Sequence, residues 1–223
     1  MNEPIVVITG ATGATGKSAA QAFAAQGTSL ALLSHDAAKL DALSAQLNLP
    51  ASRLLTLAAD LRNLDDVTSA HRFISTRFGR ADILLHLVGG WTGGKTLPET
   101  STDDLETMFT QHAWTTFHLL RTFTPGMIAH GWGRVIVVSS PLAQTPSAKM
   151  SAYTAGKAAQ ESLILTFAQE AKETGVTANI IQVRSIDTEG TGKGTSPDEI
   201  AAAMLYLCSE EAARVNGARI PLF

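Results

Sequence analysis

The chain has 223 residues, of which 45% are hydrophobic and 17% are charged, so its composition is that of a globular protein and excludes a disordered chain. Seventeen Lys and Arg residues against 20 Asp and Glu residues give a net charge of −3, which argues against nucleic acid or an anionic membrane as a partner. The single cysteine, Cys208, cannot form an internal disulfide and favours a reducing compartment. We therefore predict a cytoplasmic protein in which residues 1–223 form one domain.

Short apolar runs alternate with longer amphipathic segments along the chain. The runs are too continuous for strands with one wet face and are typical of parallel strands that helices cover on both sides. The predicted strands are Ile5–Thr9, Ser29–Ser34, Leu54–Ala58, Ile83–Val88, Val135–Ser139, Ala178–Val183 and Arg219–Leu222. The predicted helices are Lys17–Ala25, Ala37–Leu47, Leu64–Phe78, Thr102–Ala129, Ser151–Glu173 and Pro197–Ser209. This alternation predicts one α/β domain built on a doubly wound parallel sheet of about seven strands, with helices on both faces.

A glycine-rich loop follows the first predicted strand. Gly10, Gly13 and Gly16 remove the Cβ atom where a backbone must turn tightly and lie against a pyrophosphate. The helix that follows turns its N-terminal N–H groups and the positive end of its dipole toward the same charge. The loop therefore predicts a dinucleotide site of the Rossmann type.

The same loop also permits a different interpretation. It differs only at Ala11 from the phosphate-binding loop of nucleoside triphosphatases, in which Lys17 would contact the phosphates and Ser18 would bind magnesium. That alternative, a phosphotransferase, needs a carboxylate after a later strand, and Asp60 is the only candidate. The simpler interpretation of Lys17 is a solvated residue in the first turn of a helix.

A tyrosine and a lysine near the start of a later predicted helix point to proton transfer. Tyr153 and Lys157 are four residues apart, so they share one helix face. A phenol, whose ordinary pKa is about 10, transfers protons usefully at neutral pH when a close cation stabilises its phenolate. We predict that Lys157 lowers the pKa of Tyr153 and that Ser140, at the end of a predicted strand, hydrogen-bonds the reacting oxygen. The alternative is a tyrosine that packs on a lysine stem without a catalytic role.

Taken together, these motifs resemble the short-chain dehydrogenase/reductase family over nearly the whole chain. The resemblance rests on the glycine loop, Asp60-Leu61, the glycines after the fourth predicted strand, Ser140, the run Tyr153-Thr154-Ala155-Gly156-Lys157 and the run Ile186-Asp187-Thr188. It implies that a hydride passes between NAD or NADP and a small carbonyl or alcohol substrate. In that reaction Tyr153 would be the general acid or base, Lys157 would lower its pKa and bind the nicotinamide ribose, and Ser140 would orient the substrate oxygen.

The resemblance also implies a cofactor site and an oligomeric state. The cofactor residues carried over are Gly10, Thr12, Gly13, Ala14, Thr15, Gly16, Ser34, His35, Asp60, Leu61, Val88, Gly89, Gly90, Tyr153, Lys157, Ile186 and Thr188. Family members usually pair through the helices that correspond to Thr102–Ala129 and Ser151–Glu173. A homodimer or homotetramer is therefore implied.

The chain departs from the family pattern at several places. Ser34 stands at the strand tip where an acidic residue would repel a 2′-phosphate, and His35 stands where NADP-preferring members often have Arg, so NADP is favoured over NAD. His112 replaces a catalytic asparagine; it either takes over a proton relay or is a buried structural histidine. Val183-Arg184 replaces Pro-Gly. Only residues 189–196 separate Thr188 from the next helix, so we predict a mobile segment and an open site. The histidines are not spaced as metal ligands, and we predict no metal.

The stretch from Val88 to Gly94 resembles the dihydropteridine reductases within the same family. That resemblance implies that Trp91 binds a flat heterocyclic substrate near the nicotinamide, and the alternative is a tryptophan that closes the edge of the core. The sequence thus leaves open an oxidoreductase of small carbonyls or alcohols, a pteridine-reductase-like enzyme, and a weakly catalytic cofactor-binding sensor or partner protein.

Overall fold

The structure, a computed structural model, describes residues 3–223. Strands and helices alternate along these residues. The strands are β1 (Ile5–Thr9), β2 (Ser29–Ser34), β3 (Leu54–Ala58), β4 (Ile83–His86), β5 (Gly133–Ser139), β6 (Val176–Gln182) and β7 (Arg219–Pro221). The helices are α1 (Ala14–Ala25), α2 (Ala37–Leu47), α3 (Leu64–Phe78), α4 (Thr102–Phe109), α5 (Thr115–His130), α6 (Ser151–Glu170) and α7 (Pro197–Cys208).

The seven strands form one parallel sheet in the order β3-β2-β1-β4-β5-β6-β7. The predicted doubly wound α/β fold is confirmed. The chain returns to the centre of the sheet after β3, so β1 has β2 on one side and β4 on the other. In open sheets of this kind ligands bind at this switch point, beyond the carboxyl ends of the strands.

Helices cover both faces because consecutive strand residues point to opposite sides of the sheet. In β1, Val7 belongs to the core beneath α3, α5 and α6, which includes Phe123 and Ile164. Its neighbours Val6 and Ile8 belong to the core beneath α1, α2 and α7. All three of these β1 side chains are fully buried, which is why the strand is apolar throughout rather than alternating.

The predicted element ends are shifted in several places. α1 begins at Ala14 rather than Lys17, and β4 ends at His86 rather than Val88. The single helix predicted over Thr102–Ala129 is two α-helices joined by a π-helical turn, Thr110–Trp114. This wider turn rotates the residues that it contains relative to a regular helix, and it contains His112.

The segment after β6, which was predicted to be mobile, forms a hydrogen-bonded turn. The Asp187 carboxylate accepts from the N–H groups of Thr191 at 3.0 Å and Gly192 at 2.6 Å. Ile186 and Thr195 pair in a short parallel bridge that closes the turn. The segment is too short to cover the sheet edge as a helix, and its mobility stays a prediction.

Among residues 3–223, no helix combines the length and the apolar character that crossing a bilayer requires.

Candidate active site

The glycine loop between β1 and α1 is shaped for an anion. Gly10 has a φ of +68°, and a Cβ there would lie 2.9 Å from the carbonyl carbon of Leu87. A Cβ on Gly16 would lie 2.3 Å from the Gly10 carbonyl oxygen. Gly13 caps α1 without a side-chain hydrogen bond, and the first turn of α1 carries no acidic residue. The helix N-terminus therefore keeps its N–H groups and positive dipole end for an external anion, which fits the pyrophosphate of a dinucleotide.

Two cavities open at the carboxyl edge of the sheet and meet at Leu87, Val88 and Gly89. The first, the loop cavity, has a volume of about 550 Å³. The predicted cofactor residues that line it are Gly10, Thr12, Gly13, Ser34, His35, Asp60, Leu61, Val88 and Gly89. The second, the tyrosine cavity, has a volume of about 310 Å³. Of the predicted site residues it collects Thr15, Val88, Gly89, Gly90, His112, Tyr153, Lys157 and Ile186. The two cavities are therefore neighbours along the edge of the sheet, as the two ends of an extended ligand would require.

The far end of the loop cavity is basic. Lys17, Lys39 and Arg62 line it beside His35. Sequence reasoning interpreted Lys17 as merely solvated and did not single out Lys39 and Arg62. Lys39 comes from α2 and Arg62 from the loop after β3. Because they meet only in the folded chain, their local sequence does not identify either of them as a cofactor residue.

Hydroxyl groups and ion pairs complete this end of the cavity. Thr12 Oγ1 and Ser34 Oγ are 2.8 Å apart, which places a hydroxyl pair at the tip of β2. Asp60 binds Arg62 through both carboxylate oxygens, at 2.8 and 2.6 Å, and this hydrogen bonding lowers the pKa of the Asp60 carboxyl. The carboxylate is therefore occupied by its own neighbour.

Lys157 is buried in the tyrosine cavity. Its Nζ donates to the Val138 carbonyl at 2.8 Å and to Gln160 Oε1 at 2.9 Å. Burial lowers the pKa of Lys157 to about 7, and the nearby Glu161 carboxylate opposes that shift. The buried Gln160 is a residue that sequence reasoning missed, since a glutamine in a helix carries no signal of what it binds.

Tyr153 differs from the prediction in one respect. Burial raises the pKa of its phenol above the ordinary value, and a hydrogen bond with the Ser140 hydroxyl lowers it only in part. Lys157 is not the group that shifts it, because the amine is directed at Val138 and Gln160. The structure therefore holds the phenol in its protonated form at neutral pH.

His112 is fully buried beside Tyr153. Its Nε2 lies 3.1 Å from the Gly90 carbonyl, which can only accept, so Nε2 carries the proton. The unprotonated Nδ1 is buried without a hydrogen-bond partner in the described chain. Burial, helped by the Lys157 charge, lowers the pKa of His112 to about 3. The ring is therefore neutral, and its acceptor nitrogen is enclosed without a partner in the described chain.

His86 forms part of a separate polar chain behind the site. The Thr115 hydroxyl donates to the Gln111 carbonyl at 2.7 Å, so it accepts from His86 Nε2 at 3.1 Å. The opposite nitrogen, Nδ1, then accepts from the Thr9 hydroxyl at 2.8 Å. Both ring nitrogens are satisfied, and burial lowers the pKa of His86 to about 3. Within residues 3–223, no three His, Cys, Asp or Glu side chains are grouped to hold a metal ion.

Some predicted residues do not line either cavity. Ala14 and Gly16 lie inside the first turn of α1, and Thr188 lies in the exposed turn after β6. Ser140 is buried and does not line either cavity. Its hydroxyl is linked to the tyrosine cavity only by its hydrogen bond with Tyr153. Trp91 is 61% exposed and packs against Gly93, away from the lining of the tyrosine cavity, so the geometry lends no support to a stacked heterocycle there.

Comparisons with known proteins identify the family to which the chain is similar. The family model described as short chain dehydrogenase matches residues 4–199. The chain is 27% identical to an acetoacetyl-CoA reductase of Allochromatium vinosum. The alignment covers 98% of this chain and 96% of that protein. The chain is 28% identical to a D-beta-hydroxybutyrate dehydrogenase of Cupriavidus necator, with 98% of this chain and 95% of the other aligned. The crystal structure of a short chain dehydrogenase from Bacillus anthracis superposes with a TM-score of 0.91 at 26% identity, over 98% of this chain and 94% of that one.

Proposed function

Since the chain belongs to the short-chain dehydrogenase family, and is therefore an NAD(P)-dependent oxidoreductase of small molecules, we propose that it reduces a carbonyl group to an alcohol with Tyr153 as the proton donor. One observation carries the proposal: Tyr153 and Lys157 line a cavity that shares Leu87, Val88 and Gly89 with the cavity of the glycine loop. A ligand bound along both cavities reaches from the loop to the phenol. Membership in this family leaves the phosphotransferase alternative without support.

The protonation state of Tyr153 suits the direction of reduction. A bound reduced nicotinamide would supply the hydride that adds to the carbonyl carbon. Tyr153 donates its phenolic proton to the oxygen, so the C=O bond becomes a CH–OH group. The phenol carries this proton at neutral pH, and the transfer becomes favourable when the arriving hydride makes the substrate oxygen negative. Ser140, which hydrogen-bonds the phenol, orients it toward the oxygen.

We further propose that Lys157, which does not shift the Tyr153 pKa in this structure, offers its third ammonium proton to the phenolate once the transfer has occurred. Its pKa of about 7 means that a large share of the molecules carries the ammonium form near neutral pH. Two of the three ammonium protons are held by Val138 and Gln160, which leaves one for the phenol or a ribose hydroxyl. The lysine is thus both a fixed donor and the source of positive charge beside Tyr153.

The proposal includes a preference for NADP. The hydroxyl pair of Thr12 and Ser34 stands where a carboxylate would repel a 2′-phosphate. Lys17, Lys39 and Arg62 line the same end of the loop cavity. Lys39 and Arg62 are exposed and are also paired with Asp36 and Asp60, so part of their charge is already balanced. The positive electrostatic potential of these three side chains favours NADP, which carries more negative charge than NAD.

The test begins with titration of the purified protein with NADPH and NADH, followed by a panel of aldehydes and ketones. Tyr153→Phe is then compared with wild type. We expect kcat to fall by about 100-fold or more while the dissociation constant of NADPH changes little. The matched control is Tyr206→Phe, because Tyr206 is the other tyrosine and is 53% exposed on α7. Equal turnover by Tyr153→Phe and wild type would reject the proposed role.

A further inference from the structure

An arginine stands at the mouth of the tyrosine cavity, where it has no role in the chemistry described so far. Arg184 follows the end of β6 and is exposed. It lines the tyrosine cavity together with Tyr153 and Lys157. It also lines a neighbouring surface cavity of about 780 Å³, the outer cavity. One guanidinium therefore borders both the cavity of the reacting groups and the outer cavity.

The charges around Arg184 are unbalanced. Within residues 3–223, the tyrosine cavity is lined by Lys157 and Arg184 and by no carboxylate. The outer cavity adds Lys193 and a single carboxylate, Glu199. That carboxylate accepts from Ser196 N and Ser196 Oγ, both at 2.8 Å, and so closes the N-terminal cap of α7. The side chains that line these two cavities therefore carry more positive than negative charge.

The side chain of Arg184 is also supported from one side. Its guanidinium carbon lies 4.6 Å from the centre of the Phe223 ring. Stacking on an aromatic ring holds the guanidinium plane while its N–H edges stay free. Those edges match the two oxygens of a carboxylate or of a phosphate. The chain itself is held in place here, because Leu222 N donates to the Gln182 carbonyl at 2.9 Å.

We propose that Arg184 binds an anionic group of the substrate, so that the substrate is a carbonyl compound that carries a carboxylate or a phosphate a few bonds from the reacting carbon. The proposal rests on the proposed reduction at Tyr153 and adds the class of substrate. Arg184 holds the anion at the boundary of the two cavities, and the carbonyl then extends inward to the phenol. Arg184 is thus a specificity-determining residue.

The test uses oxo acids whose carboxylate lies one, two or three carbons from the carbonyl, namely pyruvate, acetoacetate and levulinate, each paired with its neutral methyl ester. Binding to the protein saturated with NADP⁺ is measured by calorimetry, and reduction is measured with NADPH. We expect at least one acid to bind about tenfold or more tightly than its ester. Arg184→Gln should remove that difference and leave the affinity for the ester and for NADPH within about twofold.

A matched control separates this effect from general surface charge. Arg72→Gln removes a guanidinium that also stacks on an aromatic ring, Phe73 at 5.7 Å, but on α3. This variant should discriminate acid from ester as wild type does. A second comparison, acetoacetyl-CoA against the neutral acetoacetyl thioester of N-acetylcysteamine, distinguishes a phosphate-bearing substrate from a free carboxylate. A preference confined to the coenzyme A thioester would assign Arg184 to phosphate.

The outcomes distinguish the two proposals. If neutral ketones are reduced but charged substrates of both kinds bind no better than their neutral partners, reduction stands and the role of Arg184 is wrong. The role is also wrong if Arg184→Gln weakens acid and ester equally. If an anion binds in an Arg184-dependent manner while no carbonyl compound is reduced, the anion site stands and the proposed reduction is wrong.

Discussion

The imidazole of His112 meets the phenol ring of Tyr153 edge to face, with ring centroids 5.7 Å apart and ring planes at 85°. This contact depends on the π-helical turn that carries His112 toward α6. The sequence left open whether the histidine relays protons or is structural. Because burial lowers its pKa to about 3, the ring does not take up a proton at neutral pH. Its Nδ1 accepts no hydrogen bond within the described chain and is enclosed by it, so the ring packs against Tyr153 as a neutral group.

The first prediction concerns stability in acid. The folded pKa of His112 is about 3, against an ordinary value of 6.5, so between these pH values only the unfolded chain binds the extra proton. The unfolding free energy should therefore fall as the pH is lowered from 6.5 toward 3, by about 1.4 kcal/mol per pH unit for each such histidine. His112→Asn should reduce the slope of unfolding free energy against pH by the contribution of one histidine, about 1.4 kcal/mol per pH unit. Urea denaturation between pH 4 and pH 7 measures it.

The control for that experiment is the exposed His130. His130→Asn makes the same substitution at an exposed position and shows how much of any change comes from the substitution alone. A slope that is the same in all three proteins would contradict a neutral, buried His112.

The second prediction concerns Gln160 as a positioning residue for Lys157. Gln160 Oε1 accepts from Lys157 Nζ, and Gln160 Nε2 donates to Thr116 Oγ1 at 3.1 Å. Gln160→Leu removes an acceptor of the ammonium and should lower the pKa of Lys157 further. The proposed reduction needs the charged amine, so activity should decline at lower pH than in wild type. Gln160→Glu should move the decline to higher pH.

The readout is the pH profile of kcat/KM, because a purely structural role of Gln160 would reduce activity equally at every pH. Thr116→Val, which disturbs the opposite end of the same glutamine, should shift the profile in the same direction as Gln160→Leu but by less. Profiles that differ only in height would contradict the positioning role.

The third prediction tests the preference for NADP. Ser34→Asp places a carboxylate at the tip of β2, where the Ser34 hydroxyl now lies 2.8 Å from Thr12 Oγ1. The new charge repels a 2′-phosphate, so the ratio of kcat/KM for NADPH to that for NADH should fall about tenfold or more. Ser34→Ala removes the hydroxyl without adding charge and should change the ratio much less. If Ser34→Asp leaves the ratio as in wild type, the 2′-phosphate does not lie at this end of the loop cavity.

The fourth prediction concerns two helical glycines in very different surroundings. A Cβ on Gly16 would lie 2.3 Å from the Gly10 carbonyl oxygen, whereas a Cβ on Gly126 in α5 meets nothing within 4 Å. Gly16→Ala should therefore destabilise the protein by about 1–3 kcal/mol or more and weaken cofactor binding. Gly126→Ala should stabilise it by about 0.5–1 kcal/mol, since alanine is the better helix former. Thermal unfolding and NADPH titration measure both effects, and an equally stable Gly16→Ala would contradict the tight loop.

Much of the site follows from local pattern. The Gly10-Gly13-Gly16 spacing predicts the phosphate loop because a close backbone approach needs residues without a Cβ at fixed intervals. The four-residue spacing of Tyr153 and Lys157 predicts that they share a cavity because the helix period sets their direction. The apolar runs predict the parallel sheet, since a strand covered on both faces has no polar side. These features depend on neighbours along the chain, so the sequence alone determined them.

Other features depend on residues that are distant in sequence, and only the tertiary structure decided them. Burial, not Lys157, sets the pKa of Tyr153 in this structure, and burial is the product of every element packed around the phenol. Lys39 and Arg62 reach the tip of β2 from two different segments. Arg184 joins the reacting groups to a basic outer cavity only because β6 ends beside β5. Charge and burial sum over three-dimensional neighbours, and a linear pattern does not record which neighbours those are.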